Sequence, residues 1–419
     1  MRTKIRVEQL RLGMHLHELC GAWLEHPFWR TEFVLRDPRD IEKLRDSGVA
    51  ECWIDTDKGV GLVEPVQVPP SAVAAVAVAT APTRQAAPPL PFATSMEDES
   101  ARAAALCHRS RQAVMSLFSE ARMGRSLDAE QCLPLVDDIA SSVERNPGAL
   151  ISLARLKSHD DYSFMHSVAV CALMVSLARQ LGHDDAQVRD AGLAGLLHDL
   201  GKAMMPAAVL NKPGPLTDAE YGIMKTHPAR GHELLLEGKA VSATALDVCL
   251  HHHERPDGKG YPDGSIGEAL SLHARMGAVC DVYDAITSNR PYKGGWDPAE
   301  SIARMAEWAQ AGQFDSAVFQ AFVKGIGIYP IGSLVRLHSG RLGVVTEQNA
   351  TSLIAPKLKV FFSSRSRMPV PVEVIDLGRP GCNERIAARE SNHEWKFPHL
   401  AELVIGQNLM RKQPASTDK

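Results

Sequence analysis

The sequence predicts a multi-domain chain with a large all-α core, preceded by a small α+β block and followed by a small β unit. Three observations carry that expectation. The chain has 419 residues, which at ~150 residues per domain points to two or three domains. Apolar residues recur with helical spacing almost throughout the middle of the chain, from about Met96 to about Ile328. Between Pro65 and Pro91, seven prolines and eight alanines accompany a single charge, Arg84. That composition builds no packed core and reads as an extended linker.

In the first block, Phe33 to Leu35 reads as a strand. Asp37-Pro38 opens a helix running to Ser47, Gly48 closes it, and Glu51 to Ile54 returns as a strand. Beyond the linker, Val114, Leu117 and Phe118 fall at three- and four-residue intervals, and Val168 to Leu177 is apolar on nearly every face, as befits a helix at the centre of a bundle. From Tyr329 the pattern changes to short strands at Leu334 to Leu337, Leu342 to Val345 and Leu358 to Phe362, the first two joined through Ser339-Gly340. The expected boundaries are a block at 1–63, a linker at 64–95, a helical domain at 96–328, a β extension at 329–410 and a polar tail at 411–419.

Composition narrows the function classes. With 45% hydrophobic and 23% charged residues, wholesale disorder is excluded. Lys plus Arg is 46 against 50 for Asp plus Glu, and the net charge of −4 provides no field for long nucleic acid or an anionic membrane. No apolar run approaches ~18 residues, so no membrane span is expected. Met1 to Gln9 is followed by no apolar run, so a cytoplasmic chain without a signal peptide is expected. The eight cysteines are scattered without a Cys-x-x-Cys pair, most of them in apolar stretches. They read as reduced, buried thiols rather than a disulfide frame or a zinc ribbon.

Histidine is the informative residue, with 17 in the chain. His15, His17, His26, His108, His338, His393 and His399 are isolated, and an isolated histidine is usually a satisfied core or surface residue. A series inside the helical region is different: His166, the pair His198-Asp199, His227, the run His251-His252-His253, and Asp281. Imidazole nitrogen and carboxylate oxygen suit borderline divalent metals such as iron, manganese and zinc, and a carboxylate can bridge two ions. The pairs sit beside apolar helix faces (Leu193, Leu196 and Leu197; Val248 and Leu250), where an unpartnered polar group costs several kcal/mol. Metal ions are the partners such a set calls for.

Three cations extend the pattern towards metal-assisted hydrolysis. Lys202 lies four residues after His198, about one helical turn on, within reach of an oxyanion at the same metals. Arg290 and Lys293 follow Asp281 at nine and twelve residues. Metals and cations together suit a phosphate-bearing substrate, with water acidified enough to attack near neutral pH. A solvated face is the competing reading of these three cations.

The motifs resemble a known family. His198-Asp199-Leu200-Gly201-Lys202 is similar to the HD-G-K signature of HD-superfamily phosphohydrolases. The segment from His252-His253-Glu254 through Arg255-Pro256-Asp257-Gly258-Lys259 to Gly260-Tyr261-Pro262 is similar to the HHE-x-x-DG-x-GYP signature of the HD-GYP subfamily. Leu210 to Thr217, Asp281-Val282-Tyr283-Asp284-Ala285 and Asn289-Arg290-Pro291-Tyr292-Lys293 match the same subfamily, in order. The resemblance covers about Asp160 to Phe322. Met1 to about Val63 also resembles the small domain of unknown function that precedes many HD-GYP modules, notably at Gly13-Met14, Trp23 to Phe28 and Trp53-Ile54-Asp55.

The resemblance implies an all-helical HD-GYP bundle and a phosphodiesterase that hydrolyses cyclic di-GMP to linear pGpG, with GMP left open as the end product. It implies His166, His198, Asp199, His227, His252, His253 and Asp281 as ligands of a binuclear centre, iron or manganese, with Asp199 as the bridge. Asp199 and Lys202 are the expected catalytic residues. Lys202, Tyr261, Arg290 and Lys293 fall on substrate-facing positions. His251 falls outside the aligned histidine pair and is read as a non-ligand. Family members with a third metal place a glutamate four residues before the first histidine, where this chain has Tyr162; neither Asp160 nor Asp161 has that spacing, so two ions are expected. Cyclic di-GMP is the expected ligand, and a diguanylate cyclase, other signalling proteins and a second copy of the chain are partners left open. Two alternatives stand beside the enzyme: a catalytically weak cyclic di-GMP receptor, and an HD phosphohydrolase of another nucleotide.

Overall fold

A computed structural model of the protein describes residues 2–19, 33–35, 38, 41, 51–59, 94–155, 162–212, 214–288, 294–349, 352–398 and 400–405. The chain divides into two compact units, Met1–Pro91 and Phe92–Lys419. The linker stretch up to Pro91 and the tail at 411–419 lie outside the described residues, as does most of the helix expected from Asp37 to Ser47.

The first unit contains an antiparallel sheet of β1 (Arg2–Arg6), β2 (His15–Leu19), β3 (Phe33–Val34) and β4 (Glu51–Asp55), in the order β1-β4-β2-β3. Strand period two turns Cys52 and Ile54 inward from β4, where they join Ile5, Val7, Leu10, Met14, Leu16, Leu35 and Ile41 in one core. β3 and β4 coincide with the expected strands. β1 and β2 were not expected, because the charged run Arg2-Thr3-Lys4-Ile5-Arg6 and the histidines of β2 mask the apolar alternation.

The second unit opens with α1 (Met96–Arg122). Ser95 accepts from Asp98 N, and Glu97, Asp98 and Glu99 occupy the first turn, where the helix dipole favours acids. α2 (Leu133–Arg145) and α3 (Pro147–Arg155) follow, and then α4 (Tyr162–Gln180), which is buried at every position from Met165 to Ala178. It is the central helix that its uniform apolarity predicts. α5 (Asp185–Leu197) packs along it, started by a reciprocal cap between Asp184 and Gln187. α5 ends at Leu197, and a 3-10 turn, Leu200–Met204, takes over. The short α6 (Ala207–Leu210) and α7 (Asp218–Met224) lead to α8 (His227–Leu236), α9 (Ala243–His251) and α10 (Leu272–Thr287). α11 (Pro298–Gln310) and α12 (Ser316–Ile326) complete the bundle, capped by Asp297 and Asp315.

A five-stranded antiparallel sheet follows, in the order β8-β7-β6-β5-β9: β5 (Leu334–Leu337), β6 (Arg341–Glu347), β7 (Lys357–Ser363), β8 (Met368–Asp376) and β9 (Ile386–Arg389). The first three correspond to the expected strands. β8 was missed because Pro369 and Pro371 interrupt its pattern, and prolines are tolerated there because β8 is an edge strand. The sheet is tied to the bundle through Asp297, whose Oδ2 accepts from Leu334 N at 3.0 Å. The short α13 (Asn392–Trp395) and α14 (Leu400–Ile405) end the described chain. A helical core with a small antiparallel sheet at each end of the sequence is therefore the observed architecture. Among the described residues no helix is long and apolar enough to cross a membrane.

Candidate metal centre

Five segments of the bundle converge on one buried cluster. α4 contributes His166, the end of α5 contributes His198 and Asp199, and the first residue of α8 is His227. The end of α9 contributes His252 and His253, and α10 contributes Asp281. All seven are buried. Six of them form two groups that share Asp199: one with His227, His252 and His253, the other with His166 and His198.

The two oxygens of Asp199 face different histidines. Oδ1 lies 3.2 Å from His227 Nε2 and 3.7 Å from His252 Nε2. Oδ2 lies 3.3 Å from His198 Nε2 and 3.4 Å from His166 Nε2. Asp281 spans the cluster similarly, with Oδ1 2.9 Å from His166 Nε2 and Oδ2 3.6 Å from His253 Nδ1.

Local backbone geometry decides which ring nitrogens face inward. His198 Nδ1 lies 2.8 Å from Gly195 O, His227 Nδ1 2.7 Å from Met224 O, and His252 Nδ1 3.0 Å from Cys249 O. A carbonyl only accepts, so each Nδ1 carries the proton and each Nε2 presents a lone pair. His227 Nε2 and His252 Nε2 are nevertheless 3.4 Å apart. Two lone pairs at that distance repel unless a cation lies between them. Burial pushes the His227 imidazole down to about 4, so His227 itself carries no second proton near neutral pH. His198 Nε2, Asp199 Oδ1 and Asp281 Oδ2 are buried without a well-formed hydrogen bond. Burial alone would raise the Asp199 carboxyl, but the Lys202 ammonium and His198 outweigh it and hold the group well below the usual carboxylate range. Neutral imidazoles, ionised carboxylates and unsatisfied inward atoms fit divalent metal ions. Burial drives the thiols of Cys249 and Cys280 upward, so neither offers a thiolate.

The 3-10 turn after α5 places Lys202 inside the centre, with Nζ 2.5 Å from Asp199 Oδ2. Gly201 makes that turn fit. A Cβ there would lie 1.9 Å from His227 O and 2.4 Å from Gly231 N, so the turn lies directly on the start of α8. The Tyr261 ring stacks on His253, with centroids 4.7 Å apart at 28°. Arg290, Lys293, Asp160, Asp161 and the Tyr162 side chain lie outside the described residues. His251 is not part of either group; its Nδ1 lies 2.8 Å from Asp247 Oδ1.

Comparison with known proteins places this geometry. Residues 140–318 match the HD domain family, and residues 2–132 match a domain of unknown function, DUF3391. The cyclic di-GMP phosphodiesterase PA4108 of Pseudomonas aeruginosa is 54% identical over 407 residues, 97% of this chain and 96% of that protein. The chain belongs to the HD-GYP family. Two further relatives align with parts of this HD-GYP protein. The cyclic di-GMP phosphodiesterase response regulator RpfG of Xanthomonas campestris is 40% identical over 49% of this chain and 54% of its own length. A 3'3'-cGAMP-specific phosphodiesterase of Vibrio cholerae is 34% identical over 42% of each chain.

Two residues at the HD-GYP centre received no role from sequence reasoning. Asp284 Oδ2 lies 2.6 Å from His166 Nδ1, a contact readable only as a three-residue offset from Asp281 on the same helix. Lys225 Nζ lies 5.5 Å from the Tyr261 ring centroid and 4.6 Å from that of Tyr221. Only its position two residues before His227 hinted at it.

Proposed function

We propose that this protein is a metal-dependent phosphodiesterase that hydrolyses cyclic di-GMP to linear pGpG, with GMP left open as the end product, in bacterial second-messenger signalling. The observation that carries the reading is Asp199, whose two oxygens face separate histidine groups inside a chain 54% identical along nearly its whole length to a cyclic di-GMP phosphodiesterase. His166, His198, Asp199, His227, His252, His253 and Asp281 are the proposed ligands. Two divalent ions supply Lewis acidity towards a phosphoryl oxygen and lower the pKa of water. Iron or manganese suits the nitrogen and oxygen donors better than a thiolate-seeking metal.

The chain's own groups do the rest. Lys202 places a buried ammonium beside Asp199, where it stabilises charge building on phosphoryl oxygens. Tyr261 offers an aromatic face beside His253, and Arg290 with Lys293 hold the substrate phosphates. In this reading residues 96–328 carry the chemistry, residues 1–63 are a regulatory domain behind the 64–95 linker, and 329–410 is a β extension. The protein works in the cytoplasm. A diguanylate cyclase, another signalling protein or a second copy of the chain are the partners this arrangement admits. Relatives acting on 3'3'-cGAMP make a mixed cyclic dinucleotide the second reading of the substrate. A catalytically weak receptor is disfavoured because the proposed ligand set is complete.

The test is to purify the protein anaerobically with iron or manganese and follow pGpG and GMP from cyclic di-GMP by chromatography, with 3'3'-cGAMP alongside. Turnover of cyclic di-GMP that Asp199→Ala abolishes is the expected result. Tight binding without turnover under either metal refutes the enzyme in favour of the receptor.

A further inference from the structure

Glu254, the third residue of the His252-His253-Glu254 run, has no part in the reading above, yet it is buried. Its carboxylate faces a loop, not the metal centre. Oε1 accepts from Asp263 N at 2.6 Å and Gly264 N at 2.9 Å, and Oε2 accepts from Ser265 N at 3.2 Å. One carboxylate thus gathers three successive backbone N–H groups, a charge-assisted and directional set. Those amides directly follow Tyr261 and Pro262.

The loop doubles back onto its own beginning. A Cβ on Gly260 would lie 2.4 Å from Glu254 Cα and 2.5 Å from Arg255 N, so only glycine lets the returning strand lie on the outgoing one. Tyr261 N donates to His253 O at 3.3 Å, and Gly267 N donates to Pro256 O at 3.0 Å. The Tyr261 ring comes to rest on the His253 ring. The backbone that presents Tyr261 is therefore fastened on its far side by Glu254.

We infer that Glu254 is a positioning residue for the substrate: its carboxylate locks Asp263–Ser265 to the histidine pair and thereby holds Tyr261 against His253 as part of the substrate-binding face. The inference rests on the phosphodiesterase reading of this site. Glu254 belongs to neither ligand group and its carboxylate is spent on loop amides, so its loss is expected to act on KM through Tyr261 and to leave the metal centre intact.

The test compares the full-length, metal-loaded wild type with Glu254→Gln and Glu254→Ala. Glu254→Gln keeps the shape of the side chain but turns one acceptor into a donor facing an N–H. Hydrogen exchange over residues 261–267 is expected to accelerate about tenfold in Glu254→Gln and more in Glu254→Ala. KM for cyclic di-GMP is expected to rise about tenfold while kcat stays within about threefold and metal content is unchanged. Unchanged exchange in Glu254→Gln overturns the lock. Faster exchange with an unchanged KM reduces Glu254 to a structural residue and overturns the substrate role, as does a fall in kcat that follows metal loss. Should Glu254→Ala not fold, the isosteric Glu254→Gln decides. A wild type that fails to hydrolyse cyclic di-GMP refutes the phosphodiesterase reading, whereas the exchange rates, which need no substrate, still decide the lock.

Discussion

His166 is held between two carboxylates: Nδ1 lies 2.6 Å from Asp284 Oδ2, and Nε2 lies 2.9 Å from Asp281 Oδ1. Asp284 is in turn held by Ser288, whose hydroxyl donates to its Oδ1 at 3.0 Å. A carboxylate behind an imidazole fixes ring orientation and raises the basicity of the opposite nitrogen.

Asp284→Ala is therefore expected to weaken metal binding roughly 10- to 100-fold, the usual effect of removing such a partner. Competition of the loaded protein against a chelator measures it. An affinity equal to wild type contradicts the orienting role.

Lys202→Ala is expected to lower kcat by about 100-fold, as for other groups that stabilise charge in the transition state. KM is expected to move less. The check is steady-state kinetics with metal content measured on the same sample, since a variant that loses metal reports on Asp199 rather than on the phosphoryl group.

Glu99 predicts an acid-linked loss of stability. It is fully buried in α1, and Arg145 donates to it through two nitrogens at 2.7 and 2.8 Å, with the Ser142 hydroxyl at 2.8 Å. Burial opposes ionisation, but Arg145 and Ser142 outweigh it and lower the carboxyl below its ordinary value. A depressed folded-state value means that the contribution is complete above the unfolded value of about 4.3 and disappears as pH falls through the folded one. Thermal unfolding between pH 7 and 3 is expected to show a steeper acid decline in wild type than in Glu99→Gln.

Gly201→Ala is expected to destabilise the protein by about 1–3 kcal/mol or more, the range for overpacked cores. The added methyl meets His227 O and Gly231 N, both backbone atoms that cannot swing away. Urea unfolding gives the magnitude, and loss of bound metal is expected to accompany it because His227 must shift.

Much of the fold was legible because burial on all faces leaves a plain record: α4 is apolar on nearly every face from Val168 to Leu177 and lies at the centre of the bundle. Strands were legible where alternation was clean, as in the first half of β7, and obscured where charge or proline broke it, as in β1 and β8. For the site, adjacent His-Asp and His-His pairs flagged the clustered residues. His251 shows the limit of such reading. It sits in the same run as His252 and His253, yet at the last position of α9 it points to Asp247, one helical turn back.

By itself the sequence determined the donor types, the order of the signature segments and the cations that accompany them, because side-chain chemistry and local spacing are written directly in the chain. Only the tertiary structure decided which atoms meet. His166 and Asp284 are 118 residues apart, and no local rule pairs them. The division of Asp199 between two histidine groups, the inward lone pairs of His198, His227 and His252, and the grip of Glu254 on the loop beyond Tyr261 all depend on how helices and loop pack. Register between distant segments is set by burial and hydrogen-bond satisfaction across the whole core, so it exists only once the chain has folded.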